Sequence, residues 1–137
     1  MTKMTDELMT IREMCEAFDV TPRTLRFYES KELLFPIREG SKRLFTRQDR
    51  GRLKLILRGK RFGFSLEEIR QLLDLYSPAG HNLIQFRKTY EIGQRHLDEM
   101  ISQKAELETA IVELEAQMKW GAEMIASLEN ADNQPDD

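Results

Sequence analysis

The segment TIREMCEAFDVTPRTLRFYE, residues 10–29, predicts two short helices joined by a tight turn. Thr10 followed by Glu13 has the form of a capping box, in which a hydroxyl and a carboxylate bond the free amides of a helix start. Asp19 supplies the turn, and Thr21-Pro22 is a second start signal because proline fits the first position of a helix. Two such helices, the second rich in arginine, are typical of a helix-turn-helix.

The flanking residues predict a small sheet and two more helices. A short strand is expected at residues 9–10, and Gly40-Ser41 offers a turn between two extended runs, which indicates a hairpin, or wing, over residues 37–45. Thr46 with Asp49 starts a third helix that reaches about Arg61. Ser65 with Glu68 is another capping box and starts a fourth helix.

A heptad pattern without proline extends from Leu83 to Leu128. Eleven of its fourteen a and d positions are apolar, which argues for a coiled coil. One helix cannot bury this stripe alone and the chain offers no second long helix, so we expect a homodimer. The interface residues predicted from the pattern are Leu97, Met100, Leu107, Ile111, Leu114 and Met118.

These patterns predict a mainly α protein, with an N-terminal winged helix-turn-helix domain followed by a long dimerisation helix. We divide the chain into a flexible N-terminus (1–8), the winged helix-turn-helix domain (9–76), a linker (77–82), the coiled-coil helix (83–128) and a disordered acidic tail (129–137).

Charge is distributed unevenly along the chain. The stretch 20–61 contains 13 basic and 4 acidic residues, whereas the stretch 71–137 contains 5 basic and 13 acidic residues. A lobe with an excess of nine positive charges favours a polyanionic partner, most simply nucleic acid, although a solvated basic face is the alternative reading. The acidic half is expected to serve self-association or signal reception.

Several protein classes are excluded by composition and motif content. No stretch approaches the roughly 18 apolar residues of a spanning helix, and the charged N-terminus does not resemble a signal peptide, so we expect a soluble cytoplasmic protein. The lone Cys15 and the unpaired His81 and His96 do not form a metal-ligand pattern. Cys15 is expected to be a small buried hydrophobe and the histidines ordinary surface residues. Phosphate loops, nucleophile elbows and HExxH motifs are absent from the sequence, so we expect neither enzyme activity nor a cofactor.

The second helix is the predicted DNA-reading element. Arginine binds guanine bidentately in the major groove, and threonine and tyrosine hydroxyls suit phosphates or base edges. Arg26 has a structural alternative as a partner of Glu29, and Phe27 and Tyr28 have the alternative of packing in the core, which is the more favoured reading for Phe27. Other cations lie on the wing and third helix. The candidates for DNA contact on the second helix and wing are Thr21, Arg23, Thr24, Arg26, Tyr28, Lys42 and Arg43.

Aromatic residues near the linker predict an apolar pocket for a small effector. Tyr76, Phe86 and Tyr90 are its candidate lining, with Trp120 a more distant one. Packing at the dimer interface is the alternative and is favoured for such aromatics.

The residues from Val20 to Glu29, followed by Leu33-Leu34, Pro36, Arg43-Leu44-Phe45 and Asp49, closely resemble the MerR (mercury-resistance regulator) family of bacterial transcription factors. The stretch 53–69 continues the match and looks most like a subgroup that regulates branched-chain amino-acid and fatty-acid breakdown. The resemblance implies an antiparallel coiled-coil dimer, recognition contacts from Arg23, Arg26 and Tyr28, wing contacts from Lys42 and Arg43, and a phosphate anchor at Lys60. The sequence departs from the family pattern at Phe27 and Phe45, where many relatives carry tyrosine.

The resemblance also implies a mechanism. Family dimers bind an inverted repeat between promoter elements whose spacing is too long, and they distort the spacer so that RNA polymerase can engage both elements. No cysteines lie where the family's thiol sensors hold metal, so we do not expect sensing of mercury, copper or a redox cluster. The resemblance to the subgroup that regulates amino-acid and fatty-acid breakdown implies instead an acyl-type effector in an apolar pocket near the linker. Two alternatives remain: a non-specific architectural DNA-binding adaptor, and a repressor or activator that works without a ligand.

Overall fold

The structure, a computed structural model, describes residues 7–77 and 82–133. Its elements follow the predicted order: β1 (Met9–Thr10), α1 (Ile11–Phe18), α2 (Pro22–Ser30), β2 (Ile37–Glu39), β3 (Lys42–Phe45), α3 (Arg47–Arg61), α4 (Leu66–Leu75) and α5 (Leu83–Asp132). The predicted mainly α class with an N-terminal winged helix-turn-helix and a long C-terminal helix is confirmed. The chain divides into two compact units, one up to His96 and one from Leu97 onward.

Local capping chemistry explains where the short helices begin. Thr10 and Glu13 form a reciprocal capping box at α1, and Ser65 and Glu68 form another at α4. At α3 the same role falls to Thr46 and Asp49. The buried Asp49 carboxylate also accepts the Phe35 backbone N–H at 2.9 Å, so it fixes the segment that leads into the wing.

The small sheet has the strand order β1-β3-β2, and both pairings are antiparallel. Ile37 pairs with Leu44 and Glu39 with Lys42, so Gly40 and Ser41 form the turn. Gly40 has a φ of 61°, a value that a side chain strongly disfavours and that tight hairpin turns require. The sheet therefore holds the wing directly beside α1 and α2.

The core of the first unit is formed by apolar faces of α1 to α4 and the sheet. Leu25 and Tyr28, one helical turn apart, are both buried, as are Leu53 and Ile56 on α3. The predicted core position of Phe27 is wrong: Phe27 is 44% exposed and Tyr28 only 3% exposed. The reason is the helical period, because a residue adjacent to Tyr28 points about 100° away from the face that Leu25 and Tyr28 share.

The first unit includes the beginning of α5, so it extends beyond the predicted domain end at residue 76. Thr89 and Ile92 are buried there, and the His96 ring bonds to Glu68 of α4 and stacks on Phe64, with centroids 4.8 Å apart. The expectation of an ordinary surface histidine is therefore wrong for His96. His81 lies outside the described residues.

Two other expectations need correction. The α5 helix continues to Asp132, so residues 129–132 are not part of a disordered tail; no helix breaker occurs there before Pro135, and residues 134–137 lie outside the described range. Cys15 is half-buried rather than buried, and burial raises the pKa of its thiol. The predicted flexible residues 1–6 and the linker residues 78–81 also lie outside the described part.

Candidate nucleic-acid interface

The start of α2 fixes the two candidate base-reading arginines. The Thr21 hydroxyl accepts the Thr24 backbone N–H at 3.1 Å, and the two threonine hydroxyls lie 3.0 Å apart. The Thr21 hydroxyl is thus engaged in capping and the Thr24 hydroxyl is bonded to it, which reduces what both can offer to DNA. Arg23 and Arg26 are exposed on the helix that this cap begins.

Arg23 and Lys60 converge on one surface pocket of about 430 Å³, although they belong to different helices. Tyr28 lines the same pocket; its phenol is a protonated donor at neutral pH, and burial raises its pKa still further above that range. Two cations with a phenolic hydroxyl are suited to a phosphate group. The burial of Tyr28 leaves little of the side chain for a base contact.

A second pocket of about 330 Å³ joins α1, α2 and the wing. It is lined by Arg26, Lys42 and Arg43, which were all predicted as DNA contacts, and also by Arg12, which was not. Arg12 lies on the exposed face of α1 next to the capping box, and nothing in its sequence spacing indicates that the fold brings it to the wing. The pocket offers a further group of positive charges beside α2.

Glu29 pairs with the wing rather than with Arg26. Its carboxylate accepts from Arg43 Nε at 2.6 Å and from Arg38 Nη1 at 2.9 Å. Burial raises the pKa of Glu29, but the hydrogen bonds and charges of Arg43 and Arg38 outweigh burial, so the pKa lies below its usual range. Arg43, predicted as a wing contact to DNA, is therefore paired with α2, whereas Lys42 is exposed.

Some basic residues of α3 have structural partners. Arg52 Nε donates to the Leu33 carbonyl at 2.7 Å, and its guanidinium lies 5.2 Å from the Phe35 ring centre. Arg50 donates to the Glu7 carbonyl at 2.9 Å. These two side chains stabilise the chain around the wing, so the positive stretch is in part structural.

The three aromatic residues predicted to form one effector pocket are not brought together. Phe86 and Tyr90 line an apolar pocket of about 460 Å³ with Leu75 and Leu83, whereas Tyr76 lines a different pocket beside Arg58. Thr89 also lines the apolar pocket, and its buried hydroxyl has no hydrogen-bond partner among the described residues.

The predicted dimer residues are all exposed. Leu97, the first of them, begins the second unit, and the apolar side chains that share this exposure on α5 are Leu97, Met100, Leu107, Ile111, Leu114 and Met118. None of the helices in the described part of the chain has the length and hydropathy that a membrane-spanning segment needs. Across residues 7–77 and 82–133, no three His, Cys, Asp or Glu side chains cluster in a way that suits a metal ion.

The chain is similar in sequence to known families and proteins. Residues 9–75 match the model of the MerR HTH family regulatory proteins, and residues 50–117 match the model described as "MerR, DNA binding". The regulator ZntR of Escherichia coli K12 is 39% identical over 101 residues, which cover 72% of this chain and 70% of ZntR. The regulator HmrR of Rhizobium leguminosarum is 31% identical, covering 77% of this chain and 83% of HmrR.

Solved structures show the same fold. The regulator PbrR691 of Ralstonia metallidurans, solved with lead(II), is 30% identical with a TM-score of 0.58, covering 77% of this chain and 84% of that one. HiNmlR, described as a MerR family regulator without the sensor domain and bound to promoter DNA, has a TM-score of 0.65 at 23% identity, covering 94% and 98% of the two chains.

Proposed function

This chain belongs to the MerR family of DNA-binding transcription regulators, which are not enzymes, and we propose that it acts as a homodimer on an inverted-repeat promoter site. The proposal rests on the presence of two different surfaces in one chain. The first unit presents Arg23, Arg26, Lys42 and Lys60 around α2, and the second presents an exposed apolar heptad stripe. A stripe of this kind is buried when a second copy packs against it.

A two-fold dimer reads two half-sites, so the operator should be an inverted repeat. We propose that the bound dimer distorts the spacer between promoter elements. One surplus base pair separates two elements by about 3.4 Å and rotates them by about 35°, so untwisting and kinking the centre would realign them for RNA polymerase. RNA polymerase is thus an indirect partner, which binds the promoter that the regulator has distorted. We propose that the regulator acts in the cytoplasm.

An effector shifts the regulator between its distorting and non-distorting states only if it binds these two states with different affinities. We propose an apolar, acyl-type effector at the pocket between Phe86 and Tyr90, because its lining is almost entirely apolar. Cys15 is the single cysteine among residues 1–137 and lies on α1, so it does not supply a thiolate cluster. A thermal-shift screen with short acyl compounds tests this, since a ligand selective for the folded protein raises its melting temperature.

Footprinting of the purified protein on fragments of its own genome tests the main proposal. Protection of an inverted repeat that lies between over-spaced promoter elements is the expected result. Binding without sequence preference that is lost as salt rises would contradict the proposal and indicate an architectural role, because non-specific binding to DNA is purely electrostatic. The genes beside a protected site would then indicate the effector class.

A further inference from the structure

Glu29 joins three elements of the DNA-binding unit through one carboxylate. Its Oε1 accepts from Arg43 on β3, and its Oε2 accepts from Arg38 on β2, so each oxygen is bonded to a different strand. The Glu29 side chain itself belongs to α2, which also carries Arg23 and Arg26. The side chains of Glu29 and Arg43 are 21% and 23% exposed, so their ion pair is partly shielded from water, whereas the Arg38 side chain is 49% exposed.

The two arginines would repel each other without this carboxylate. Arg38 and Arg43 are directly opposite each other in the β2–β3 register. Like charges in that position destabilise a strand pair. Glu29 thus neutralises a cross-strand repulsion and fixes the hairpin against α2, and charge-assisted hydrogen bonds are short and strong enough to do so.

The same bridge changes what the wing offers to DNA. A free arginine binds any phosphate and contributes to sequence-independent affinity, which depends steeply on salt. An arginine that is paired with a carboxylate contributes less to this sequence-independent affinity. The orientation of the wing relative to α2, in contrast, matters only where DNA engages both at once, as it does at an operator.

We propose that Glu29 is a positioning residue for DNA recognition: it fixes the wing to α2 and withholds the charges of Arg38 and Arg43 from non-specific phosphate binding, and so raises discrimination between operator and other DNA. The proposal rests on the proposed function, since it assumes that α2 and the wing contact DNA together.

The test compares Glu29→Gln with Glu39→Gln on operator and on random duplex DNA. Both changes remove one negative charge near the wing, but Glu39 is exposed at the end of β2 and forms no ion pair among the described residues. Glu29→Gln is expected to bind random DNA several-fold more tightly and to steepen the salt dependence of log K by about one to two, as one or two freed arginines would. The ratio of operator to random affinity should fall by about fivefold or more, since a mispositioned wing loses operator contacts.

Glu29→Asp separates charge from geometry. It keeps the negative charge beside both arginines, but its shorter side chain should bond only one of them, so operator affinity should fall while the gain on random DNA should be smaller than in Glu29→Gln. Hydrogen exchange of the β2 and β3 amides, measured without DNA, should quicken in both Glu29 variants and not in Glu39→Gln. Circular dichroism confirms that each variant remains folded.

Equal salt slopes and equal affinity ratios in Glu29→Gln and Glu39→Gln would overturn the proposal, and so would unchanged amide exchange in the wing. Failure of the proposed function looks different. In that case the wild-type protein itself shows no operator preference. The salt dependence of binding to random DNA and the amide exchange in the wing still test the role of Glu29.

Discussion

The Nε2 atom of His96 lies 2.9 Å from Oε1 of Glu68, which joins the beginning of α5 to the first turn of α4. The other carboxylate oxygen accepts from Arg95 at 2.6 Å. Glu68 also completes the capping box of α4, because its Oε1 accepts the backbone N–H of the N-cap residue Ser65 at 3.0 Å. One carboxylate thus links helix capping to the attachment of α5.

This linkage predicts an acid-sensitive contribution to stability. The Ser65 backbone hydrogen bond, followed by the bonds and charges of His96 and Arg95, holds the pKa of Glu68 below its ordinary value of 4.5 despite opposing burial. A carboxylate with a lowered folded-state pKa stabilises the fold above its unfolded pKa, and that stabilisation is lost as the pH falls below about 4.5. We expect Glu68→Gln to cost about 1 kcal/mol at pH 7 and much less near pH 3.5.

Urea unfolding at both pH values and at one protomer concentration measures this difference. The matched control is Glu67→Gln, because Glu67 is adjacent, exposed and paired with Arg70 only at 3.9 Å. Such a surface pair contributes little, so the control should change stability by less than about 0.5 kcal/mol. A Glu68→Gln penalty that is the same at both pH values would contradict the assignment.

The contact between α3 and α4 requires glycine at one position. A Cβ atom built on Gly59 would lie 2.9 Å from Ile69 Cγ1, a distance at which the Ile69 side chain or the helix that carries it must shift. We expect Gly59→Ala to destabilise the protein by about 1–3 kcal/mol through this overpacking. Gly51→Ala on the same helix meets no atom within 4 Å and should instead stabilise it by about 0.5–1 kcal/mol. Thermal unfolding of both variants measures the change in stability. A stabilising effect of Gly59→Ala would mean that α4 moves to accommodate the added methyl group at little cost.

Local signals explain most of what the sequence predicts correctly. The capping pairs Thr10–Glu13 and Ser65–Glu68 are three residues apart, so the chemistry that starts each helix is contained in a single turn. The Gly40-Ser41 turn is equally local. Boundaries set by a single turn can therefore be identified without knowledge of the fold.

Contacts between distant residues account for what the sequence leaves undetermined. Glu29 and Arg43 are 14 residues apart, and His96 and Glu68 are 28 residues apart, so neither pair follows a helix or strand period. The sequence offered Arg26 as a partner for Glu29 because it is one turn away, but the fold supplied Arg38 and Arg43. The assignment of Phe27 to the core failed similarly, since only packing determines which of two adjacent aromatics faces inward.

Position in the heptad, rather than exposure, should decide which apolar residues of α5 hold the proposed dimer together. Leu107 at a d position is 62% exposed in the single chain, and Val112 at a b position is 65% exposed. We expect Leu107→Lys to raise the dimer dissociation constant at least about tenfold, because a charge in the seam must be desolvated. Val112→Lys should leave it nearly unchanged. Sedimentation across a concentration series separates the two, and equal behaviour of both variants would mean that another face of α5 forms the interface.

Arg23 and Lys60 line one pocket but should affect DNA binding in different ways. Arg23 lies near the beginning of α2, where a side chain of a recognition helix reaches base edges, whereas Lys60 on α3 suits a phosphate. We expect Arg23→Ala to abolish operator preference, a loss of about 1–3 kcal/mol per half-site, while binding to random DNA changes much less. Lys60→Ala should weaken operator and random DNA alike and reduce the salt slope by about one for each site lost.

Fluorescence anisotropy on operator and random duplexes across a salt series distinguishes these outcomes. Lys119→Ala is the control, because it also removes a positive charge but lies on α5 at a b position, outside both the heptad seam and the pocket. Sedimentation should show that all three variants keep the dimer, since none lies at an a or d position. If Arg23→Ala keeps its operator preference, another residue of α2 makes the base contact, and exposed Arg26 is the next side chain to replace. Equal, uniform losses from Arg23→Ala and Lys60→Ala would instead make the whole pocket a phosphate clamp, in which case the sequence preference would have to arise from the deformability of the DNA.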